Sequence, residues 1–191
     1  MKSIKGTKTE KNILTAFIGE SQARNKYSYF ASKAKQEGYE QISAIFLETA
    51  DNEKEHAKRL FKLLEGGDVE ITATFPTDTI SDTVTNLTKA AQGENYENTT
   101  MYPNFSKIAA EEGFAEISAI FRAIATAEIY HEKRFSALID NIKNGTVFKK
   151  ETKVKWRCRN CGFVHEGTEP PEICPACAHP KSYFEIMNSN Y

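Results

Sequence analysis

The sequence predicts a mainly α-helical protein, a four-helix bundle with one long crossover connection, followed by a small C-terminal module of strands and loops. Three observations predict this architecture. Four long segments carry apolar residues at helical spacing. A proline-containing stretch without that spacing separates the second segment from the third. All four cysteines lie in the last 34 of the 191 residues, which indicates a separate module there.

The composition is that of an ordinary water-soluble globular protein, with 40% hydrophobic and 27% charged residues. The net charge is -1 and the basic residues form no long block, so we expect neither a nucleic acid partner nor an anionic membrane surface. The N-terminus lacks the apolar run of a signal peptide, and no apolar stretch approaches transmembrane length. We therefore expect a cytoplasmic protein that does not contact a membrane.

The first helix is predicted at about residues 10–36 and the second at about 39–65, where two consecutive glycines end it. On the first helix, Glu20 lies on the apolar stripe. On the second, Glu53 and His56 lie on that stripe. These are positions at which a globular helix normally places hydrophobic residues.

Residues 68–79 carry no helical pattern, so we expect them to form the crossover connection. Among four-helix proteins, such a crossover is typical of ferritin-like topology. A third helix is predicted at about residues 80–110 and a fourth at about 114–144. Glu94 lies on the apolar side of the third helix, and Glu97 lies one turn further on.

The second and fourth helices each carry the sequence Glu-x-x-His, at positions 53–56 and 128–131. Residues three apart project from the same face, so a carboxylate and an imidazole point into the interior together. An unpaired charge there would be costly. Two such motifs, with one Glu from each of the other two helices, are typical of a dinuclear metal site, and mixed oxygen and nitrogen ligands suit iron or manganese. The expected ligands are Glu20, Glu53, His56, Glu94, Glu128 and His131.

The chain also contains an internal repeat. Residues 37–61 align with 112–136 at an offset of 75, with 12 identities in 25 positions. The bundle is therefore expected to consist of two related helix pairs, with a pseudo-twofold axis that brings the Glu-x-x-His motifs face to face.

The repeat loses its register near the centre of the third helix. Tyr27 maps onto Tyr102 at an offset of 75, but Glu20 maps onto Glu94 at an offset of 74, so one extra residue lies between Glu94 and Tyr102. A π-bulge would absorb this residue and turn Glu97 toward the metals as a seventh ligand. A harmless drift between old repeats explains the spacing equally well.

The roles of two tyrosines near the expected metal site stay open, whereas several glutamates are expected to lie at the surface. Tyr27 and Tyr102 either hydrogen-bond the site carboxylates or belong to the plain hydrophobic core. The glutamates expected to be solvated are Glu55, Glu111, Glu112 and Glu132.

The C-terminal module begins after a polar segment. We predict a bundle domain at residues 1–145, a linker at 146–153 and a metal domain at 154–191. Cys158 and Cys161 form one Cys-x-x-Cys pair, and Cys174 and Cys177 form the other. Two such pairs that converge on one ion make a tetrahedral tetrathiolate site, for zinc or for a single iron.

Together, these motifs resemble the rubrerythrin family, in which a ferritin-like domain precedes a rubredoxin-like domain. The resemblance covers nearly the whole chain. It implies a dinuclear iron centre and one further iron ion held by four thiolates. The implied di-iron ligands are Glu20, Glu53, His56, Glu94, Glu97, Glu128 and His131, and the implied ligands of the single iron are Cys158, Cys161, Cys174 and Cys177.

The resemblance further implies a peroxidase that reduces hydrogen peroxide to water and protects against oxidative stress. Electrons would enter through the rubredoxin-like iron from a rubredoxin or an NAD(P)H-linked reductase, and would pass between subunits of a homodimer or larger assembly. In such proteins one iron exchanges a histidine for a glutamate as the centre is oxidised. That exchange would make Glu97 and His56 catalytic residues, with Tyr27 and Tyr102 beside them, and would leave His131 as the fixed ligand.

Three other functions remain open from the residues alone. A ferritin-like ferroxidase or iron store would use the same bundle. A di-iron oxidase would use dioxygen instead of peroxide. A regulatory protein would carry a zinc ribbon in place of the iron tetrathiolate.

Overall fold

The computed structural model describes residues 2–189 and has the predicted architecture, a four-helix bundle with a long crossover and a small C-terminal sheet. The third predicted helix consists of two α-helices that are joined without a break by a π-helical segment. The helical elements are α1 (Lys8–Gln36), α2 (Glu40–Phe61), α3 (Thr83–Tyr96), the π-helical segment (Glu97–Met101), α4 (Tyr102–Glu111) and α5 (Ala115–Lys143).

Capping side chains determine where two of the helices begin. The Thr7 side chain accepts a hydrogen bond from the backbone N–H of Glu10, so α1 begins two residues before the prediction. The Asp82 side chain accepts one from the backbone N–H of Thr85, so α3 begins three residues after it. These caps satisfy backbone donors that have no partner within the helix.

A second pair of caps connects the two halves of the bundle. Glu37, in the turn after α1, accepts hydrogen bonds from the backbone N–H and hydroxyl of Thr83 at 2.9 and 2.6 Å. Glu112, its equivalent in the repeat, accepts them from the same groups of Thr9 at 2.8 and 2.6 Å. Glu112, which was expected to be solvated, is partly exposed and in addition caps α1. Each helix pair caps the first helix of the other pair.

The hydrophobic core lies in two clusters, one on each side of a buried polar region. One contains Tyr27, Phe46 and Phe135, with the Tyr27 and Phe135 ring centroids 5.4 Å apart. The other contains Tyr102 and Phe121, with ring centroids 5.8 Å apart. Aromatic side chains of this size contribute much of the apolar area that stabilises a bundle.

The predicted long crossover between the second and third helices is present. It runs along α1, where Gln22 donates a hydrogen bond to the carbonyl of Pro76 at 2.7 Å and Lys26 pairs with Asp78 at 3.1 Å. No helix within residues 2–189 is long and apolar enough to cross a membrane.

The C-terminal module is a three-stranded antiparallel sheet in which the first strand of the chain lies between the second and the third. Trp156 and Phe184 are buried between the strands and form its small core. The module touches the bundle at the turn after α1, where Gly38 lies beside Ser182 and Tyr39 stacks on Phe148. The strands are β1 (Val154–Cys158), β2 (Val164–Gly167) and β3 (Phe184–Ile186).

The predicted domain boundaries stay a prediction. The last bundle helix ends at Lys143 and the first strand begins at Val154, so both elements lie outside the predicted linker at residues 146–153.

Candidate metal centres

Four helices bring the six predicted carboxylate and histidine ligands of the bundle together. All four glutamates are buried, with relative exposures of 1% or less. The His131 side chain is 8% exposed and that of His56 is 18% exposed. Helical spacing of the Glu-x-x-His motifs aims both residues of each pair at the same interior point.

The ligand atoms form two groups that share two carboxylates. In each group, one atom from every residue lies within 4.8 Å of the others. The first group adds Glu20 and His56 to the shared Glu53 and Glu128. The second group consists of Glu53, Glu94, Glu128 and His131.

The shared carboxylates each direct one oxygen toward each histidine. Glu53 places Oε2 2.9 Å from Nδ1 of His56 and Oε1 3.1 Å from Nδ1 of His131. Glu128 places Oε1 3.0 Å from the first of these nitrogens and Oε2 2.7 Å from the second. This is the arrangement that two bridging carboxylates adopt between two metal ions.

The site contains an unusual number of buried polar atoms without a hydrogen-bond partner among residues 2–189. Such atoms are costly, and folded proteins leave few of them. Two bound cations would satisfy them, so the donor set fits a dinuclear metal centre. In this site the atoms are Oε2 of Glu20, Oε1 of Glu53, Oε2 of Glu94, both carboxylate oxygens of Glu128 and Nδ1 of His131.

The pKa values show the same need for positive charge. Burial raises the pKa of Glu20 well above its usual range and that of Glu94 to about 8. Burial also acts to raise the pKa of Glu53, but the adjacent imidazoles of His131 and His56 lower it to about 2. Burial acts to lower the pKa of His131, but the adjacent carboxylates of Glu128 and Glu53 raise it to about 12. Without metal, the cluster therefore holds protons that divalent cations would displace.

The two predicted tyrosines bind the terminal carboxylates crosswise. The Tyr27 hydroxyl, on α1, donates to Oε1 of Glu94 on α3, and the Tyr102 hydroxyl, on α4, donates to Oε1 of Glu20 on α1. Burial and then the carboxylate that each one binds raise the pKa of both phenols well above the usual range, so both remain donors. The contact with the site carboxylates is therefore present, in addition to the core packing.

The extra residue of the second repeat is absorbed in a π-helix. The backbone N–H of Tyr102 donates to the carbonyl of Glu97, five residues earlier. The π-bulge alternative is thus confirmed. Pro103 follows directly and, since it has no N–H, cannot continue an α-helical hydrogen-bond pattern through this turn.

Glu97 faces the carboxylates but stands outside both ligand groups. The residue is half-buried. Burial, and then the negative charges of Glu20 and Glu94, raise the pKa of Glu97 well above its usual range. Its role as a metal ligand stays a prediction.

The four cysteines form the second candidate centre. None is in a disulfide, and Sγ atoms lie 3.8 Å apart for Cys158 and Cys177 and 3.6 Å apart for Cys161 and Cys174. Ligands about 2.3 Å from a tetrahedral ion lie at about this separation. The backbone N–H of His179 lowers the pKa of Cys177 to about 6, which favours a thiolate.

The family comparisons agree with both centres. The family model described as rubrerythrin matches residues 11–139, and the model described as the rubrerythrin rubredoxin-like domain matches residues 156–185. The chain belongs to the rubrerythrin family. The candidate ligands of this rubrerythrin fit two iron ions in the bundle and one in the C-terminal module.

Several rubrerythrin relatives match the whole chain. The rubrerythrin of Nitratidesulfovibrio vulgaris is 62% identical over 191 residues and covers 100% of both chains. The rubrerythrin of Porphyromonas gingivalis is 57% identical and covers 100% of this chain and 95% of that protein. A solved structure of nigerythrin in a mixed-valence state matches with a TM-score of 0.64 at 31% identity, covering 97% of this chain and 92% of its own. The ferritin-like fold with a rubredoxin-like module is therefore confirmed.

Proposed function

We propose that this rubrerythrin is a non-haem di-iron peroxidase that reduces hydrogen peroxide to water and so protects a cell against oxidative stress. The observation that carries the proposal is the position of Glu97. It is a surplus carboxylate that the π-helical segment holds beside a complete set of six ligands. A carboxylate that can become an additional ligand suits a metal centre whose charge changes during turnover.

The proposed ligand assignment follows the two groups. Glu20 and His56 bind one iron, while Glu94 and His131 bind the other. Both irons are proposed to share the carboxylates of Glu53 and Glu128. Each of these carboxylates directs one oxygen toward each histidine. In the C-terminal module, the proposed ligands of the single iron are Cys158, Cys161, Cys174 and Cys177.

Glu97 is proposed to replace His56 when the centre is oxidised. Two features support an exchange at His56 rather than at His131. Among the carboxylates, Glu20 has the largest effect on the pKa of Glu97. The side chain of His56 is 18% exposed, whereas that of His131 is 8% exposed, so His56 has more room to move. A fifth carboxylate is most favourable when the metals carry extra positive charge.

In this proposal, the side chains of the protein hold the metal ligands in position and supply a proton. The bound iron pair would supply both electrons for cleavage of the O–O bond, which avoids release of a hydroxyl radical. Tyr27 and Tyr102 hold the two terminal carboxylates in place. In the metal-free site, burial and then the negative charges of Glu20 and Glu94 raise the pKa of Glu97. We propose that Glu97 carries a proton while it is not a ligand, and that this proton goes to the product water when Glu97 binds.

Electrons are proposed to arrive from the C-terminal module of a partner subunit. Within one chain the module touches the bundle at Gly38, beside the start of α2. Glu40, near this contact, and the candidate ligand Glu53 are thirteen residues apart on α2, which is about 20 Å along the helix axis. In a homodimer or larger assembly, the single iron of one subunit could lie closer to the di-iron centre of another. Cys161 is exposed, so a rubredoxin or an NAD(P)H-linked reductase could approach the single iron there.

A single-turnover experiment tests the proposal. The fully reduced, iron-loaded protein is mixed with hydrogen peroxide or with dioxygen, and the absorption of the iron tetrathiolate is followed. The peroxidase proposal predicts oxidation at least about tenfold faster with peroxide. Faster oxidation by dioxygen would identify an oxidase. A colourless C-terminal module would identify a zinc ribbon, and uptake of many iron ions per chain would identify an iron store.

A further inference from the structure

A hydrogen-bonded cluster on the second helix pair connects α3 to α5 beside the metal site. We name it the Glu132 clasp, after its carboxylate, and it consists of Asn95, Asn98 and Glu132. The Asn95 amide donates to Oε1 of Glu132 at 3.0 Å, and the Asn98 amide donates to Oε2 at 2.8 Å. The Asn98 amide also donates to the backbone carbonyl of Glu94 at 2.8 Å. Glu132, which was expected to be solvated, is partly exposed and in addition makes these two contacts.

Every member of the clasp directly follows a candidate ligand in the chain. Asn95 follows Glu94, and Asn98 follows Glu97. Likewise, residue 132 follows His131 on α5. The clasp therefore holds the backbone on both sides of Glu97 and ties it to the helix that carries the fixed histidine.

The first helix pair lacks a counterpart of the clasp. Its repeat-equivalent positions hold Ser21, Arg24 and Ala57, with an alanine in place of the carboxylate. In that pair, α1 is one uninterrupted α-helix of 29 residues. The clasp thus occurs in the half of the bundle that contains the π-helical segment.

We propose that Glu132 is a positioning residue that holds the π-helical segment in its register. A π-helical turn has poorer hydrogen-bond geometry than an α-helix and persists where its surroundings stabilise it. Two hydrogen bonds to an ionised carboxylate are stronger than neutral ones and supply that stabilisation. With the backbone held, the movement of Glu97 is confined to its side chain. This last step rests on the proposed exchange of Glu97 for His56, whereas the stabilisation of the segment does not.

Hydrogen exchange on the full-length, iron-loaded, reduced protein tests the stabilisation. In Glu132→Ala, we expect the amides of residues 97–102 to exchange roughly tenfold faster, because two strong hydrogen bonds are lost. In Glu132→Gln, which keeps one acceptor oxygen, the increase should be smaller. The matched control is Glu48→Ala, which removes a hydrogen bond of 2.6 Å to Arg134 on another face of α5. It should leave the exchange of residues 97–102 unchanged.

Two results would overturn the proposal. One is exchange of residues 97–102 in Glu132→Ala within about twofold of the unaltered protein, or an increase spread evenly over α3 and α5. The other, which would overturn the role of Glu132 in positioning Glu97, is a loosened segment whose reduced centre, at full iron content, still reacts with peroxide at the original rate and gives the original spectrum. Failure of the peroxidase proposal itself would appear separately, as a preference of the unaltered protein for dioxygen.

Discussion

The two helix pairs of the bundle share a design but differ at Glu97, the residue that we propose takes part in the chemistry of the site. Each pair contributes a Glu-x-x-His motif, a terminal carboxylate and a tyrosine that binds the opposite pair. The second pair adds one residue, the π-helical segment and Glu97, where the first has Ala23 at the equivalent position. Repetition thus produces a symmetric clamp for two metals, and a single insertion makes it asymmetric.

The grooves on the outside of the two pairs differ as well. Between α3 and α5 the groove holds the Glu132 clasp, and the cavity beside it is about 260 Å³. Between α1 and α2 the equivalent groove is an open cavity of about 530 Å³ lined by Phe17, Phe61, Arg24 and Lys54, among others. The polar contacts are concentrated in the pair whose backbone departs from the regular helix.

The largest effect is expected from the two bridging carboxylates, which are the symmetric part of the comparison. Glu53→Ala and Glu128→Ala should each abolish binding of both irons in the bundle, because each residue contributes one oxygen to each group. Iron per chain should fall from three to about one, since the tetrathiolate site remains. Elemental analysis checks this, with the exposed Glu55→Ala as the control. Retention of one bundle iron would show that the residue is not a bridge.

The second effect comes from making the two halves alike. Glu97→Ala places an alanine where the first pair has Ala23. The iron content should stay unchanged, but the reduced centre should react with peroxide about 100-fold more slowly, because the oxidised state loses its fifth carboxylate. Stopped-flow absorption checks the rate. An unchanged single-turnover rate would contradict the asymmetric mechanism.

The third effect is on the pH dependence of stability without metal. Glu94 has a pKa of about 8 in the fold, against 4.5 when unfolded, so the folded state binds more protons between these values. The stability of the iron-free protein should therefore fall as pH rises from about 5 to 8, by about 1.4 kcal/mol per pH unit for such a group. Denaturant titrations check this. In the iron-loaded protein the decrease should be much smaller, since metal replaces the protons; equal slopes would contradict the account.

The smallest effects are expected from removal of the hydroxyl groups of the two tyrosines. Tyr27→Phe and Tyr102→Phe should each lower the free energy of unfolding by about 1–2 kcal/mol, because a buried carboxylate loses a hydrogen bond. Tyr102→Phe should slow the peroxide reaction more, because Tyr102 binds Glu20, which we propose shares an iron with His56. Parallel unfolding and stopped-flow experiments check both. Equal kinetic effects would argue against an exchange at His56.

Much of the site could be predicted from the sequence, because helical spacing determines which side chains share a face. The candidate ligands at positions 53, 56, 128 and 131 follow from spacing alone, and the repeat relates Glu20 to Glu94. Helix ends differed by a few residues where Thr7 or Asp82 supplies a cap. The π-helix could not be decided, since an offset of one residue is compatible with several hydrogen-bond patterns.

The contacts between helix pairs were harder to predict, because they depend on how separate helices are aligned in space. Glu112 was expected to be solvated, yet it caps Thr9, which is 103 residues away in the chain. Its identity with Glu37 across the repeat was a usable signal. Glu132 was missed for the same reason, and the contrasting Ala57 at its repeat-equivalent position was the corresponding signal.

Structures of the iron-loaded protein in its fully reduced and peroxide-oxidised states test the asymmetry most directly. In the reduced state His56 should bind the iron that Glu20 binds, with Glu97 withdrawn. In the oxidised state the Glu97 carboxylate should lie about 2.1 Å from that iron and His56 should have moved away, while His131 remains bound in both. A site in which His56 stays bound in both states, or in which His131 moves instead, would contradict the account.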